Sequence, residues 1–176
     1  MSGSGTIRVV LVDDHAVIRA GLAQLIATAE DIEVVGQAAD GAEAVEQARA
    51  LTPDVVLMDL QMPGVGGVSA TREIVSAGLG VDVLVLTSYS DNERILDALD
   101  AGAVGYLLKD ADPDDVLSGV RAVARGESPI HPKAARALLG ARSAGGRPQL
   151  TAREVEVLQL VRDGLANKQI ARQLEI

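Results

Sequence analysis

The chain contains no cysteine, phenylalanine or tryptophan, and only two tyrosines among its 176 residues. Without cysteine there is no disulfide framework and no thiolate metal site. That usage suits a cytoplasmic protein, which is the expected location. Without large aromatics the core has to be assembled from Val, Leu, Ile and Ala, and a hydrophobic share of 48% supplies enough of them. No apolar run approaches the ~20 residues of a membrane span, so no membrane partner is expected. The opening MSGSG has neither a charged n-region nor an apolar h-region. It reads as a disordered start or an expression remnant, not as a signal peptide.

Basic charge is short in one part of the chain and not in the other. Residues 1–126 carry 20 acidic side chains against 8 basic ones, a net −12, whereas residues 127–176 carry 5 against 8, a net +3. This asymmetry points to two modules with different partners. The acidic first module is a poor candidate for nucleic acid, and the mildly basic tail a permissible one.

Several short apolar runs punctuate the first module: residues 7–12 (IRVVLV), 32–37 (IEVVGQ), 55–58 (VVLM), 82–87 (DVLVLT) and 105–108 (GYLL). They are mostly continuous, not alternating, as expected for strands buried on both faces of a parallel sheet. Helical patterns fall between them. The first carries Val17, Ile18, Leu22, Leu25 and Ile26 on one face. The second is capped by Asp40 with Glu43 three residues on, carries Ala42, Val45 and Ala48, and stops before Pro53. Others run near residues 68–77, 91–101 and 113–125. The result is β-α repeated five times, an α/β fold with right-handed crossovers. A sheet of this kind binds its ligand at the carboxyl ends of its strands, beside the switch point.

Residues 127–149 differ. HPKAARALL can form a short helix, and GARSAGGRPQ reads as a flexible linker. From Leu150 a helical pattern returns, with Thr151 and Glu154 as a capping box and Val155, Leu158 and Val161 on one stripe. Gly164 ends that helix, and Asn167 caps a second over 168–174, which adds Ile170 and Leu174.

The strand ends hold the chemistry. The first strand closes on Asp13 and Asp14, the third on Asp59, the fourth on Thr87 and the fifth on Lys109. In a parallel sheet these ends share one edge. If the first and third strands are neighbours, three carboxylates share a pocket, which raises a pKa or demands a cation. Hard oxygen donors suit Mg²⁺. A metal, a lysine and a hydroxyl for phosphoryl oxygens, and a carboxylate to attack phosphorus, make a phosphoryl-transfer site. Each residue also has a plainer reading: Asp14 as a helix cap, Thr87 as an ordinary strand residue, Lys109 as a surface lysine with a buried stem. All five in this order favour the site. His15 is expected at the surface, at a helix start, and His131 is assigned nothing. Gly64, Gly66 and Gly67 lack P-loop spacing and read as a flexible turn.

The segments VVLVDDHAVIRAGL, PDVVLMDLQMPGVGG, VLVLTSY and GAVGYLLKD closely resemble the receiver domain of two-component response regulators. LTAREVEVLQLVRDGLANKQIARQL resembles the start of a LuxR-type helix-turn-helix domain. Together they are similar to response regulators of the NarL/FixJ class. The resemblance implies a flavodoxin-like, doubly wound (βα)5 receiver with sheet order 2-1-3-4-5 over residues 7–126. A linker would follow over 127–149, then the N-terminal part of an all-α DNA-binding domain over 150–176, its recognition helix lying beyond Ile176. It implies Asp59 as phosphoacceptor and Mg²⁺ as cofactor. Asp14 would hold the metal directly, Asp13 through water and Gln61 by its backbone carbonyl. Thr87 and Lys109 would bind phosphoryl oxygens, and Tyr106 would act with Thr87 as the switch. The implied partners are a sensor histidine kinase and promoter DNA, and a homodimer is compatible with the class. Lys109-Asp110 stands where many receivers have Lys-Pro.

Two other functions compete. A receiver acting through protein contacts alone is the first, and the helix-turn-helix-like tail argues against it. The second is an Mg²⁺-dependent aspartyl phosphatase, which needs an acid/base carboxylate two residues after the nucleophile. Gln61 stands there and cannot serve. No enzymatic activity beyond slow self-dephosphorylation is expected.

Overall fold

A computed structural model of the chain describes residues 5–88, 92–130, 135, 139 and 158–162. The chain divides into two compact units, Met1–Pro129 and Ile130–Ile176. In the second unit residues 158–162 are helical, inside the helix expected from Thr151. The expectations for His131, the caps at Thr151 and Asn167, and the helix over 168–174 lie outside the described residues.

The first unit alternates strand and helix. Its elements are β1 (Ile7–Val12), α1 (Ala16–Ile26), β2 (Ile32–Ala38), α2 (Gly41–Leu51), β3 (Val55–Asp59) and α3 (Gly67–Ser76). Then come β4 (Asp82–Thr87), α4 (Asn92–Asp100), β5 (Gly105–Leu108) and α5 (Pro113–Ala124). All pairings are parallel, in the order β2-β1-β3-β4-β5. This is the flavodoxin-like arrangement that the resemblance implies. Strands β1, β3 and β4 occupy the middle. Every residue of β3 is buried, and Val9, Val10, Leu11, Val55, Val56 and Leu84 are all at 1% exposure or less. One face of the sheet, through Val9, Leu11, Leu57, Leu84 and Leu86, joins Ile26 of α1 and Val116, Val120 and Val123 of α5 in a single cluster. Each such side chain contributes roughly 1.5–3 kcal/mol on burial.

Local signals set the helix ends. Asp40 accepts a hydrogen bond from the Glu43 amide at 2.9 Å, and the Glu43 carboxylate in turn accepts one from the Ala39 amide at 2.8 Å. The reciprocal bond therefore lands one residue before the cap. Helix α5 starts at Pro113, with Asp114 and Asp115 in its first turn, where the helix dipole favours negative charge. After α5 the chain returns beside the edge strand, and the Tyr106 amide donates to the Pro129 carbonyl at 2.9 Å. A Cβ on Gly105 would lie 2.9 Å from the Pro129 ring, so this close covering of the sheet edge requires glycine.

Three expected core positions are corrected. Val17 is 85% exposed and Ile18 36%. Val17 belongs to the helical row of Gly21 and Gln24, which are exposed, and not to the row of Leu22, Leu25 and Ile26. Ala42 is exposed as well. The inward row of α2 is Gly41, Ala44, Val45 and Ala48, one residue around the helix.

Candidate phosphoacceptor site

Strand register brings the expected residues together. Val12 of β1 pairs with Met58 of β3, so the following residues, Asp13 and Asp59, leave the sheet side by side. Asp59 pairs with Leu86, and Thr87 pairs with Leu108, so Thr87 and Lys109 follow on the same edge. The chain turns from β1 out to β2 and returns to β3 on the other side. The cluster therefore sits at the switch point, where adjoining loops part and leave a crevice.

Asp13 and Asp59 are each only 2% exposed, and Thr87 is fully buried. Lys109 reaches in between the two carboxylates. Its Nζ donates to Asp13 Oδ2 at 2.7 Å and lies 3.0 Å from Asp59 Oδ2. The second contact is a charge pairing without a well-directed hydrogen bond, and Asp59 Oδ2 is left buried with no hydrogen-bond partner. The other Asp59 oxygen accepts the Gln61 amide at 3.1 Å. Burial pushes the Asp59 pKa up, and the opposing pull of Lys109 and the Gln61 amide does not cancel it. Burial would lower Lys109, but its hydrogen bond to Asp13 and its charge contact with Asp59 outweigh that and raise its pKa. The reading of Lys109 as a surface side chain is thus excluded.

Asp14 does not cap α1. The cap position is His15, and no side chain bonds the first turn. Asp14 Oδ1 is buried and has no hydrogen-bond partner. Asp13 is engaged differently: besides Lys109 it accepts the His15 amide at 2.8 Å, and its carbonyl accepts from Arg19 Nη1. One ligand atom from each of Asp13, Asp14, His15 and Asp59 lies within 4.8 Å of all the others. The two buried carboxylate oxygens without a hydrogen bond among the described residues, on Asp14 and Asp59, are what a hard cation would satisfy, so the donors fit Mg²⁺. Thr87 Oγ1 lies 3.4 Å from the Ser88 carbonyl, a long contact. The Tyr106 ring is 2% exposed, the largest of the fully buried side chains.

Three contributors escaped the sequence reading. His15 is at the surface, as expected, but its Nδ1 lies 3.2 Å from Asp13 and 2.9 Å from Asp14. Arg19, four residues on and so on the same helical face, anchors the end of β1; that spacing was the available signal. Gly67 is more than part of a flexible turn. A Cβ there would stand 2.1 Å from the Asp59 carbonyl oxygen and 2.8 Å from Leu60 Cα, so only glycine lets α3 start against the end of β3.

A doubly wound receiver sheet with this acidic, lysine-bridged switch point defines a class, and comparison with known proteins agrees. Residues 9–121 match the profile of the response regulator receiver domain, and residues 148–176 match that of bacterial regulatory proteins of the luxR family. The chain belongs to the response regulators, in the NarL/FixJ class: a receiver domain joined to a LuxR-type DNA-binding domain, in a transcriptional regulator. Transcriptional regulatory protein LiaR of Bacillus subtilis (strain 168) is 39% identical over 175 residues, 97% of this chain and 83% of LiaR. Nitrate/nitrite response regulator protein NarL of Escherichia coli (strain K12) is 39% identical over 182 residues, 100% of this chain and 84% of NarL. Among solved structures, response regulator ChrA of a heme-sensing two-component system superposes with a TM-score of 0.69 at 44% identity, covering 98% of this chain and 83% of ChrA. Among the described residues no helix is long and apolar enough to cross a membrane.

Proposed function

We propose that Asp59 is the phosphoacceptor of this response regulator and that its phosphorylation by a sensor histidine kinase controls DNA binding at promoters. The observation that carries the assignment is the setting of Asp59. It is a buried carboxylate at the sheet's switch point, with Lys109 3.0 Å from one oxygen and the Gln61 amide on the other. In the transfer step an Asp59 oxygen attacks the phosphorus of a phosphohistidine. The phosphorus–nitrogen bond breaks, and the leaving imidazole, protonated at its other nitrogen, departs neutral with the electron pair. Lys109 is held where it can neutralise phosphoryl oxygens as they arrive, and Thr87 supplies a hydroxyl at the adjacent strand end.

Mg²⁺ would be held by Asp14 and Asp59 directly, by the Gln61 carbonyl, and by Asp13 through water. Asp13 suits the indirect role because both its oxygens already accept from protein donors. When bound, the ion supplies charge neutralisation for the incoming phosphoryl group. Thr87 and Tyr106 form the switch: Thr87 moves toward the phosphoryl group, and the Tyr106 ring holds the inward position it has here. Slow hydrolysis of the acyl phosphate is the only catalysis assigned to the chain.

The receiver is assigned to residues 7–126, the linker to 127–149 and the LuxR-type portion to 150–176, in a cytoplasmic protein. Homodimerisation is assigned by likeness to RcsB, 25% identical with a TM-score of 0.71, whose solved structure has dimers bound to DNA. Incubation with phosphoramidate and Mg²⁺ followed by intact mass measurement tests the phosphoacceptor. One hydroxylamine-labile phosphoryl should add to the wild type and none to Asp59→Asn. Undiminished labelling of the variant would remove Asp59 from the role.

A further inference from the structure

His15 is the one member of the cluster that the phosphoacceptor reading leaves without a task. We propose that its Nδ1 is a metal ligand, and that it tilts this cation site toward divalent transition ions such as Mn²⁺ over Mg²⁺. The inference rests on the metal reading above and adds a specificity-determining residue to it.

The position of His15 is set by the backbone, not by chance rotation at the surface. Its amide donates to Asp13 Oδ1 at 2.8 Å, which folds residues 13–15 into a tight turn over the strand end. That turn brings Nδ1 within 2.9 Å of Asp14 Oδ1 and 3.2 Å of Asp13 Oδ1. The contact with Asp13 has hydrogen-bond geometry, and the closer approach to Asp14 does not, since Asp14 Oδ1 remains without a hydrogen-bond partner. A nitrogen and a carboxylate oxygen this close need either a proton on Nδ1 or a cation beside both. Neighbouring ligand atoms on one octahedral ion, with bonds of about 2.1 Å, are about 3.0 Å apart. The 2.9 Å separation of Nδ1 and Asp14 Oδ1 is that edge. A second observation concerns the same space: one ligand atom of His15 lies within 4.8 Å of one from each of Asp13, Asp14 and Asp59, and Asp59 is 2% exposed. Three carboxylates alone make a hard oxygen site. An imidazole nitrogen among them favours later first-row ions, which bind nitrogen better than Mg²⁺ does. The nitrogen must be bare at Nδ1, with the ring proton on Nε2, and a side chain that is 64% exposed leaves Nε2 free to bond water.

The rival arrangement has Nδ1 protonated and donating to Asp13, so that His15 competes with the ion. Mn²⁺ serves as the probe for deciding between them, since its electron spin reports a directly bound nitrogen. The chain has two histidines, so one variant identifies the source. Mn²⁺ bound to the full chain should show ¹⁴N coupling in pulsed EPR, and His15→Gln should lose it. Competition titration should show the Mn²⁺ preference over Mg²⁺ falling about tenfold in His15→Gln, with Mg²⁺ affinity within about twofold of wild type. Bound Mn²⁺ without nitrogen coupling, coupling that persists in His15→Gln, or tighter binding of both ions by that variant would overturn the assignment. Asp14→Ala separates this failure from failure of the metal site itself: Mn²⁺ binding that ignores Asp14→Ala would remove the site, not only the histidine.

Discussion

Removing the Lys109 ammonium should expose how much the acidic cluster depends on it. In Lys109→Met, Asp13 and Asp59 keep their burial, each 2% exposed, and lose the charge that stands 2.7 and 3.0 Å away. At an effective dielectric of about 20, those two attractions amount to about 6 and about 5.5 kcal/mol gross. Most of that is not lost on mutation, because the wild-type lysine gave up hydration to make the contacts and the variant's carboxylates can protonate. Breaking a buried pair from one side costs about 3–5 kcal/mol net. Lys109 is 21% exposed and therefore partly screened by water, which places this case near about 3 kcal/mol. In a domain of this size that corresponds to about 10 °C in Tm.

Urea unfolding of both proteins at neutral pH without metal measures the deficit, and repetition at lower pH tests its origin. Asp59, its pKa raised by burial, takes up a proton in the folded state before it would in the unfolded chain. The proton removes the uncompensated charge, so the deficit should shrink as pH falls toward the ordinary aspartate value. Mg²⁺ should narrow it at neutral pH by replacing the missing positive charge. A deficit below about 0.5 kcal/mol at neutral pH, the range of ordinary surface substitutions, would refute the argument. So would a deficit that pH and Mg²⁺ leave unchanged.

Asp59→Asn should stabilise the metal-free protein at neutral pH. A raised carboxylate pKa means that the folded state binds the proton more tightly, so ionised Asp59 is a liability that grows as pH rises through its folded pKa. The gain should therefore vanish below about pH 3.8, where the unfolded chain also holds the proton. Thermal unfolding across pH 3–8 checks this, and a gain that grows as pH falls would have the wrong sign. Asp14→Ala should lose Mg²⁺ binding, read by calorimetry, while keeping or raising apo stability, because it relieves repulsion among three carboxylates; wild-type metal affinity would refute the assignment. Gly67→Ala forces a methyl against the Asp59 carbonyl and Leu60 Cα, backbone atoms that cannot swing aside. It should cost about 3 kcal/mol in denaturant unfolding and slow labelling of Asp59, and near-neutral stability would show that α3 can shift.

The βα alternation was readable from residue order because each strand is a short, mostly apolar run, and a sheet covered on both faces is what buries the central runs. The capping pair Asp40/Glu43 and the proline start of α5 are local chemistry, and they set helix ends wherever they occur. The strand-end placement of Asp13, Asp59, Thr87 and Lys109 was legible for the same reason, since a residue that follows a buried run must emerge at its carboxyl end. The helix faces were less so: Val17 and Ala42 are apolar in sequence, yet each lies one residue around from the row that meets the sheet. Only the register of β1 on β3, set by long-range pairing, puts Asp13 beside Asp59 and lets Lys109 reach both. Burial of that pair, which raises the Asp59 pKa, is likewise a property of the packed sheet and not of any segment. The Arg19 anchor and the contact at Gly67 each depend on short distances between atoms on different elements, and the His15 turn on a 2.8 Å contact within one loop. Periodicity and spacing carry no information at that scale, because backbone geometry converts them into distances only once the elements have packed.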